Sequence, residues 1–233
     1  MFSPNDNFAE DRYQFAIWAL KELRQRANGN LVYDIGPGDG RLAKIEEEGF
    51  VWRGLDRKAW KSVEAWDLSG ASPRLPEKAD FILFLEVLEH LPNPGLALEN
   101  ISNALVPGGF LIMTTPNPRW SGSRLNMLYR GLVSGFSPQD LEENHHVFTP
   151  WPHVLRHFLE NAGLECERYV TLEGSTTLFR REGKLFFPAR VVANVIQMLI
   201  EARDPASKGM TCGFVARKTG NPKSHPPYPT ISC

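Results

Sequence analysis

The sequence predicts an α/β fold built around a doubly wound parallel sheet, and three stretches carry the prediction. Residues 31–41, LVYDIGPGDGR, are an apolar run closed by Asp34 and followed by Gly36, Gly38 and Gly40. That is the pattern of a buried strand entering a tight glycine turn, with a helix starting near Gly40. Residues 79–85, ADFILFL, are continuously apolar, as a strand covered on both faces requires. Residues 110–115 repeat that signal behind the turn Pro107-Gly108-Gly109.

The remaining elements follow in chain order. Residues 11–27 place Ala16, Ile17, Leu20, Leu23 and Ala27 at helical spacing and stop at Asn28-Gly29. The glycine strand covers 31–34, a helix runs from 40 to about 48, and 50–55 is a second strand ended by Asp56. The next strand, 63–66, begins too soon for a crossover helix, which takes a dozen or more residues. A shortened connection is expected at 57–62. Asp67-Leu68 ends that third strand, and a proline-containing loop fills 69–78. A helix over 95–105 leads to the strand at 110–115. The connection over 116–144 is long and rich in glycine, serine, arginine and aromatics; loops of that length usually cover a binding site. Thr149 and Pro150 are expected to start a helix reaching Gly163. Residues 164–170 form a strand, 184–203 a mainly apolar helix expected to pack or to act as a lid, and 209–217 a closing strand. The proline-rich stretch from Thr219 is expected to be disordered.

A chain of 233 residues with 42% apolar content and net charge −1 fits one soluble domain over 1–218. It comprises an N-terminal helical segment (1–29) and a lid at 116–148. The charge balance argues against a broad nucleic-acid surface and leaves room for a local basic patch. Cys166, Cys212 and Cys233 lack metal spacing and point to a reducing compartment. No secretory signal is visible at the start, and no apolar run reaches the ~20 residues that span a bilayer. A cytoplasmic location is expected.

The glycine turn discriminates between nucleotide-type ligands. Dinucleotide enzymes use GxGxxG over a pyrophosphate, but here the third glycine comes one residue early and Arg41 takes its place. Asp34 would repel a pyrophosphate and suits a ligand carrying an ammonium group. Asp56, sixteen residues beyond Gly40, stands where a carboxylate can accept both ribose hydroxyls.

The run LVYDIGPGDG resembles motif I of the class I S-adenosylmethionine (SAM) methyltransferases. LEVLEHLPNP resembles their segment after the fourth strand, and LVPGGFLIMTTPN their fifth-strand block. The resemblance covers roughly residues 30–218. It implies a Rossmann-like seven-stranded sheet with an antiparallel last strand, and a substrate cover inserted after strand five. It implies SAM held by Asp34, Gly36, Pro37, Gly38, Gly40, Asp56, Arg57, Asp67, Leu68, Leu85 and Glu86.

Methyl transfer needs an acceptor placed in line and a route for its proton. Glu86, Glu89 and His90 fall where the fourth strand ends; on one helical turn they share a face. Two carboxylates and an imidazole suit a divalent ion such as Mg²⁺, Mn²⁺ or Zn²⁺. The same ExxEH string is similar to that of two metal-assisted groups, the ubiquinone-pathway catechol O-methyltransferases and the small-RNA 3′-terminal 2′-O-methyltransferases. The latter add a histidine from a His-x-Phe segment, which His146-Val147-Phe148 matches, with His145 adjacent. A metal held by Glu86, Glu89, His90 and His146 stands beside a metal-free reading in which His90, His145 or His146 is the catalytic base, helped by Glu86, and beside a structural role. The expected reaction is O-methylation of a hydroxylated metabolite, quinone precursor or sugar. The alternatives are an RNA 3′ end, which lacks a basic stripe here, and a non-catalytic partner subunit. Arg119, Trp120, Arg124, Tyr129 and Arg130 of the lid either grip an anionic substrate group or form a solvated face.

Overall fold

The structure, a computed structural model, describes residues 6–7, 11–70, 75–174 and 187–220. Its regular elements are β1 (Asp6–Asn7), α1 (Arg12–Leu23), β2 (Leu31–Ile35), β3 (Val51–Asp56), β4 (Val63–Ala65) and β5 (Ala79–Leu85). There follow α2 (Pro94–Ala104), β6 (Leu105–Pro116), α3 (Ser121–Arg130), α4 (Pro138–Asn144), α5 (Pro152–Asn161), β7 (Leu164–Gly174), α6 (Phe187–Arg203) and β8 (Gly209–Lys218). The sheet order is β1-β7-β8-β6-β5-β2-β3-β4. Strand β8 runs antiparallel to β6 and β7, and the other pairings are parallel. Strands β2 to β8 therefore make the expected seven-stranded sheet with an antiparallel last strand, and β1 adds a two-residue edge.

Alternation along the strands sends side chains to two covered faces. Leu31, Tyr33 and Ile35 of β2, with Ile82, Phe84, Leu111 and Met113, pack under α2 and α5. Val32, Phe81, Leu83, Phe110 and Ile112 pack under α1 and the segment Arg41–Glu48. Helix α1 is capped by Asp11, whose carboxylate accepts from the amides of Tyr13 and Gln14 at 2.9 and 3.0 Å. It buries Phe15, Ala16, Ala19, Leu20 and Leu23. Gly213 of β8 permits this close docking, since a Cβ there would stand 2.8 Å from the Phe15 ring.

Several expectations are refined. Residues 41–48 wind as a 3₁₀ helix ended by Gly49 at φ +80. The β3–β4 crossover is as short as expected, with Trp60 and Val63 exchanging backbone hydrogen bonds of 3.1 and 2.8 Å. Helix α5 starts at Pro152 rather than at Thr149-Pro150. The residue before a proline is pushed out of the helical region, and Trp151 sits at φ −64, ψ 127. The long connection after β6 holds two helices, α3 and α4. Thr219, expected in a loose tail, donates its amide to Gly163 O at 3.0 Å; residues 221–233 lie outside the described part. No helix among the described residues is long and apolar enough to cross a membrane.

Helix α6 departs furthest from expectation. Gln197 is buried, and Glu201 accepts from Ser121 at 2.6 Å and from Gln197 at 2.8 Å. Val191, Val192, Val195, Ile196, Met198 and Leu199 are exposed instead. Arg119 and Arg124 both pair with Asp204 just beyond α6, so these two lid arginines serve the α3–α6 junction.

Candidate functional site

Strands β2, β3 and β4 progress one way across the sheet and β5 and β6 the other, so the order reverses between β2 and β5. Ligands of open α/β sheets bind at the carboxyl ends of the strands beside such a reversal. Asp34, Gly36, Asp56, Leu85 and Glu86 all lie at those ends.

The turn after β2 depends on glycine. Gly36, Gly38 and Gly40 have φ of +67, +59 and +75, a region that side chains with a Cβ rarely adopt. A Cβ on Gly36 would lie 2.7 Å from Val87 Cγ2, whereas one on Gly38 or Gly40 would meet nothing within 4 Å. The loop thus presents bare backbone to an open crevice, with Pro37 buried behind it. Asp34 is buried and accepts a 3.0 Å hydrogen bond from Trp52 Nε1. Burial, partly opposed by that bond, pushes its carboxyl up to about 6.

At the end of β3, the half-buried Asp56 accepts from the Arg57 amide at 2.6 Å, and the Arg57 side chain is exposed. Asp67 is exposed and turns the chain by accepting from the Ser69 amide at 2.9 Å. Leu68 is buried, and its carbonyl and that of Gly70 are pinned by Asn100 Nδ2 at 3.3 and 2.9 Å. These contacts fix Asp56 at the carboxyl end of β3 and Asp67 in the turn after β4. Glycines free of side chains and carboxylates for an ammonium and a ribose fit SAM.

The turn after β5 differs from the expected helical one. Glu86 takes φ +54 and the 3₁₀ turn begins only at Leu88. The chain is not helical from 86 to 90, so Glu86, Glu89 and His90 do not share one face. Glu86 instead pairs with Arg12, from the start of α1, at 3.3 Å. Burial raises the Glu86 carboxyl to about 7, against the pull of the Arg12 guanidinium.

The groups that do converge are Glu89, His90 and His146, whose ligand atoms lie within 4.8 Å of one another. Ser137 and Asp140 form a capping box at the start of α4, and His145 ends that helix in the left-handed region. The amides of Val147 and Phe148 then both donate to Glu89 O, at 2.9 and 3.1 Å, clamping His146 over the 88–90 turn. His146 Nδ1 lies 2.6 Å from Gly135 O, an acceptor, so Nδ1 donates there and Nε2 is not engaged by that bond. Its ring centroid is 4.9 Å from that of His90. Burial, and then His146, holds the His90 imidazole below its ordinary value. Glu89 is buried, accepts from Thr115 Oγ1 at 3.1 Å, and is pushed up to about 8 by burial and then by Glu86. His145 is exposed and lies outside this cluster.

Beside the cluster lies a cavity of about 1020 Å³ between α3, the following loop and α6. Leu125, Leu128, Leu132, Val133, Val192 and Ile196 give it an apolar wall, and Gly135 lines it too. Sequence reasoning did not single out Arg12, Thr115 or Gly135. Ser137-Pro138-x-Asp140 was a readable helix start; Arg12 and the Gly135 carbonyl carry no local signal.

A family model described as a methyltransferase domain matches residues 8–169. The ubiquinone biosynthesis O-methyltransferase of Histophilus somni is 24% identical over 190 residues, 71% of this chain and 78% of that protein. The enzyme of the same name from Nitrobacter winogradskyi is 32% identical over 85 residues, 36% of this chain, and the match spans only 32% of that relative. A SAM-dependent methyltransferase structure from Archaeoglobus fulgidus has the same fold, with a TM-score of 0.60 at 20% identity over 88% of this chain and 94% of that one. With more than half its length matched by that model, on a sheet whose reversal point carries the glycine crevice, the chain belongs to the methyltransferase domain family and is a SAM-dependent methyltransferase.

Proposed function

We propose that the enzyme methylates a hydroxyl of a small, largely apolar acceptor held in the α3–α6 cavity. The carrying observation is Gly135, which lines the cavity and whose carbonyl holds His146 through Nδ1. Bound in the crevice, SAM supplies an electrophilic methyl group on a sulfonium. Asp34 would hold its ammonium, Arg12 its carboxylate and Asp56 its ribose. The acceptor oxygen must lose a proton as its bond to the methyl carbon forms and the methyl–sulfur bond breaks, leaving S-adenosylhomocysteine. His146, through the ring nitrogen that does not face Gly135 O, and the His90 imidazole, held below its ordinary value, are the candidates to take that proton.

The donor set of one carboxylate and two imidazoles also fits a divalent ion, Zn²⁺ or Mn²⁺ more than Mg²⁺. Glu89, His90 and His146 would hold it, and it would lower the hydroxyl's pKa. The similarity to proteins named ubiquinone biosynthesis O-methyltransferases supports oxygen as the methylated atom. An RNA 3′ end is the weaker reading, since the cavity wall is apolar and Arg119 and Arg124 are committed to Asp204. A non-catalytic subunit would not need the open glycine crevice.

S-adenosylhomocysteine release from catechols with alkyl tails of increasing length tests this reading. Each methylene buried in the cavity is expected to raise kcat/KM about 4-fold, from the ~0.8 kcal/mol that burying a CH₂ contributes. Rates independent of tail length, or a preference for RNA ends, would overturn the cavity as acceptor site.

A further inference from the structure

Helix α6 is turned inside out. Val191, Val192, Val195, Ile196, Met198 and Leu199 are all exposed, Met198 at 69% and Leu199 at 65%. At helical spacing these positions form one continuous outward stripe. On α3, Leu128 and Tyr129 stand out at 83% and 88% exposure. Residues of both helices line the mouth of the same cavity, so the two apolar faces adjoin. A folded chain that leaves so much apolar surface together has a partner for it.

Charge selects the partner. Arg130 ends α3 and Arg203 ends α6; both are exposed, with no ion pair among the described residues. Neither helix exposes an acid: α3 has none, and the one acid of α6, Glu201, points inward to Ser121 and Gln197. In a two-fold dimer the same face of a second copy would offer Arg130 and Arg203 no exposed acid from α3 or α6. Anionic headgroups complement these arginines. An α6 of 17 residues is about 25 Å long, too short to span but suited to lie in the plane of a bilayer surface.

We infer that the α3–α6 face is a docking surface for an anionic membrane, with Met198, Leu199 and their neighbours in the acyl boundary and Arg130 and Arg203 at the headgroups. The cavity then opens toward the bilayer, so an apolar acceptor reaches it from the lipid phase.

Co-sedimentation of the full chain with phosphatidylcholine vesicles, and with vesicles that also contain phosphatidylglycerol, tests this. Partition is expected to be several-fold stronger onto the anionic vesicles and to fall at high salt. Met198→Glu with Leu199→Glu, at two exposed positions outside the cavity lining, should cut it about tenfold or more. Arg203→Gln should cut it about 5-fold, as expected for one cation at the surface. Unchanged SAM affinity by calorimetry verifies that these variants are folded. Three results would overturn the inference: no binding to either vesicle, equal binding to both, or undiminished binding of the double variant. Sedimentation equilibrium showing a dimer that the double variant dissociates, with the parent absent from vesicles, would assign the face to a second copy instead.

Discussion

His146→Ala is expected to lower turnover by about 10²–10⁴-fold, the range for losing a positioned acid–base group, while calorimetric SAM affinity stays within about twofold. The split follows from where the side chain stands. His146 reaches the 88–90 turn from the lid, held by Gly135 O on one nitrogen and by two backbone bonds to Glu89 O just after it. None of those contacts involves Asp34, Asp56 or the glycine turn. Glu89→Gln should fall in the same direction where the cluster holds a divalent ion, since it keeps an acceptor for Thr115 but removes the carboxylate ligand. Chelator treatment of the parent separates the two chemistries of the cluster. A loss comparable to that of His146→Ala, restored by Zn²⁺ or Mn²⁺, means a metal; full activity in chelator means an imidazole base. Turnover unaffected by both substitutions would remove the cluster from the reaction.

Asp34→Asn should stabilise the cofactor-free protein while weakening SAM binding. The buried carboxyl titrates at about 6 in the fold against 3.8 as its ordinary value. A carboxyl whose folded pKa is raised favours the folded state in its protonated form. Its penalty is therefore absent below about pH 4, grows between pH 4 and 6, and is complete above, at roughly 3 kcal/mol as an upper figure. Asparagine keeps an acceptor for Trp52 Nε1 and carries no charge. At pH 7.5 it should add roughly 1–3 kcal/mol, or a few degrees of Tm per kcal/mol for a chain of this size, and the difference from the parent should vanish near pH 4. SAM affinity should fall roughly 10–100-fold with the lost ammonium partner. Thermal melts across pH and calorimetry read the two effects. A variant that is less stable at pH 7.5, or that binds SAM as tightly as the parent, contradicts the role given to Asp34.

Elements that rest on local pattern were legible in the sequence, and those that rest on distant partners were not. Strands β2, β3 and β5 were placed to within a residue because uninterrupted apolar runs admit few other structures. The glycine turn and the strand-end positions of Asp34 and Asp56 were readable because they obey local geometry. The turn at Glu86 misled because i, i+3 and i+4 converge only on a real helix, and the left-handed backbone at Glu86 breaks it. The Arg12–Glu86 pair and the Gly135–His146 bond join residues that only the fold brings together. Helix α6 was readable as a helix, but periodicity gives a face without saying which way it points. Its inward face is polar because Glu201 meets Ser121 and Gln197 there, and Asp204 just beyond the helix pairs with Arg119 and Arg124.

The central claim is that the methyl group goes to an acceptor oxygen brought to the Glu89–His90–His146 cluster. The most direct measurement supplies SAM labelled in its methyl group together with an alkyl catechol, and locates the label in the product by mass spectrometry and NMR. The expected product is the mono-O-methyl ether, formed by the parent and reduced at least about a hundredfold in His146→Ala. Label on a ring carbon, or ether formed equally by parent and variant, would contradict it.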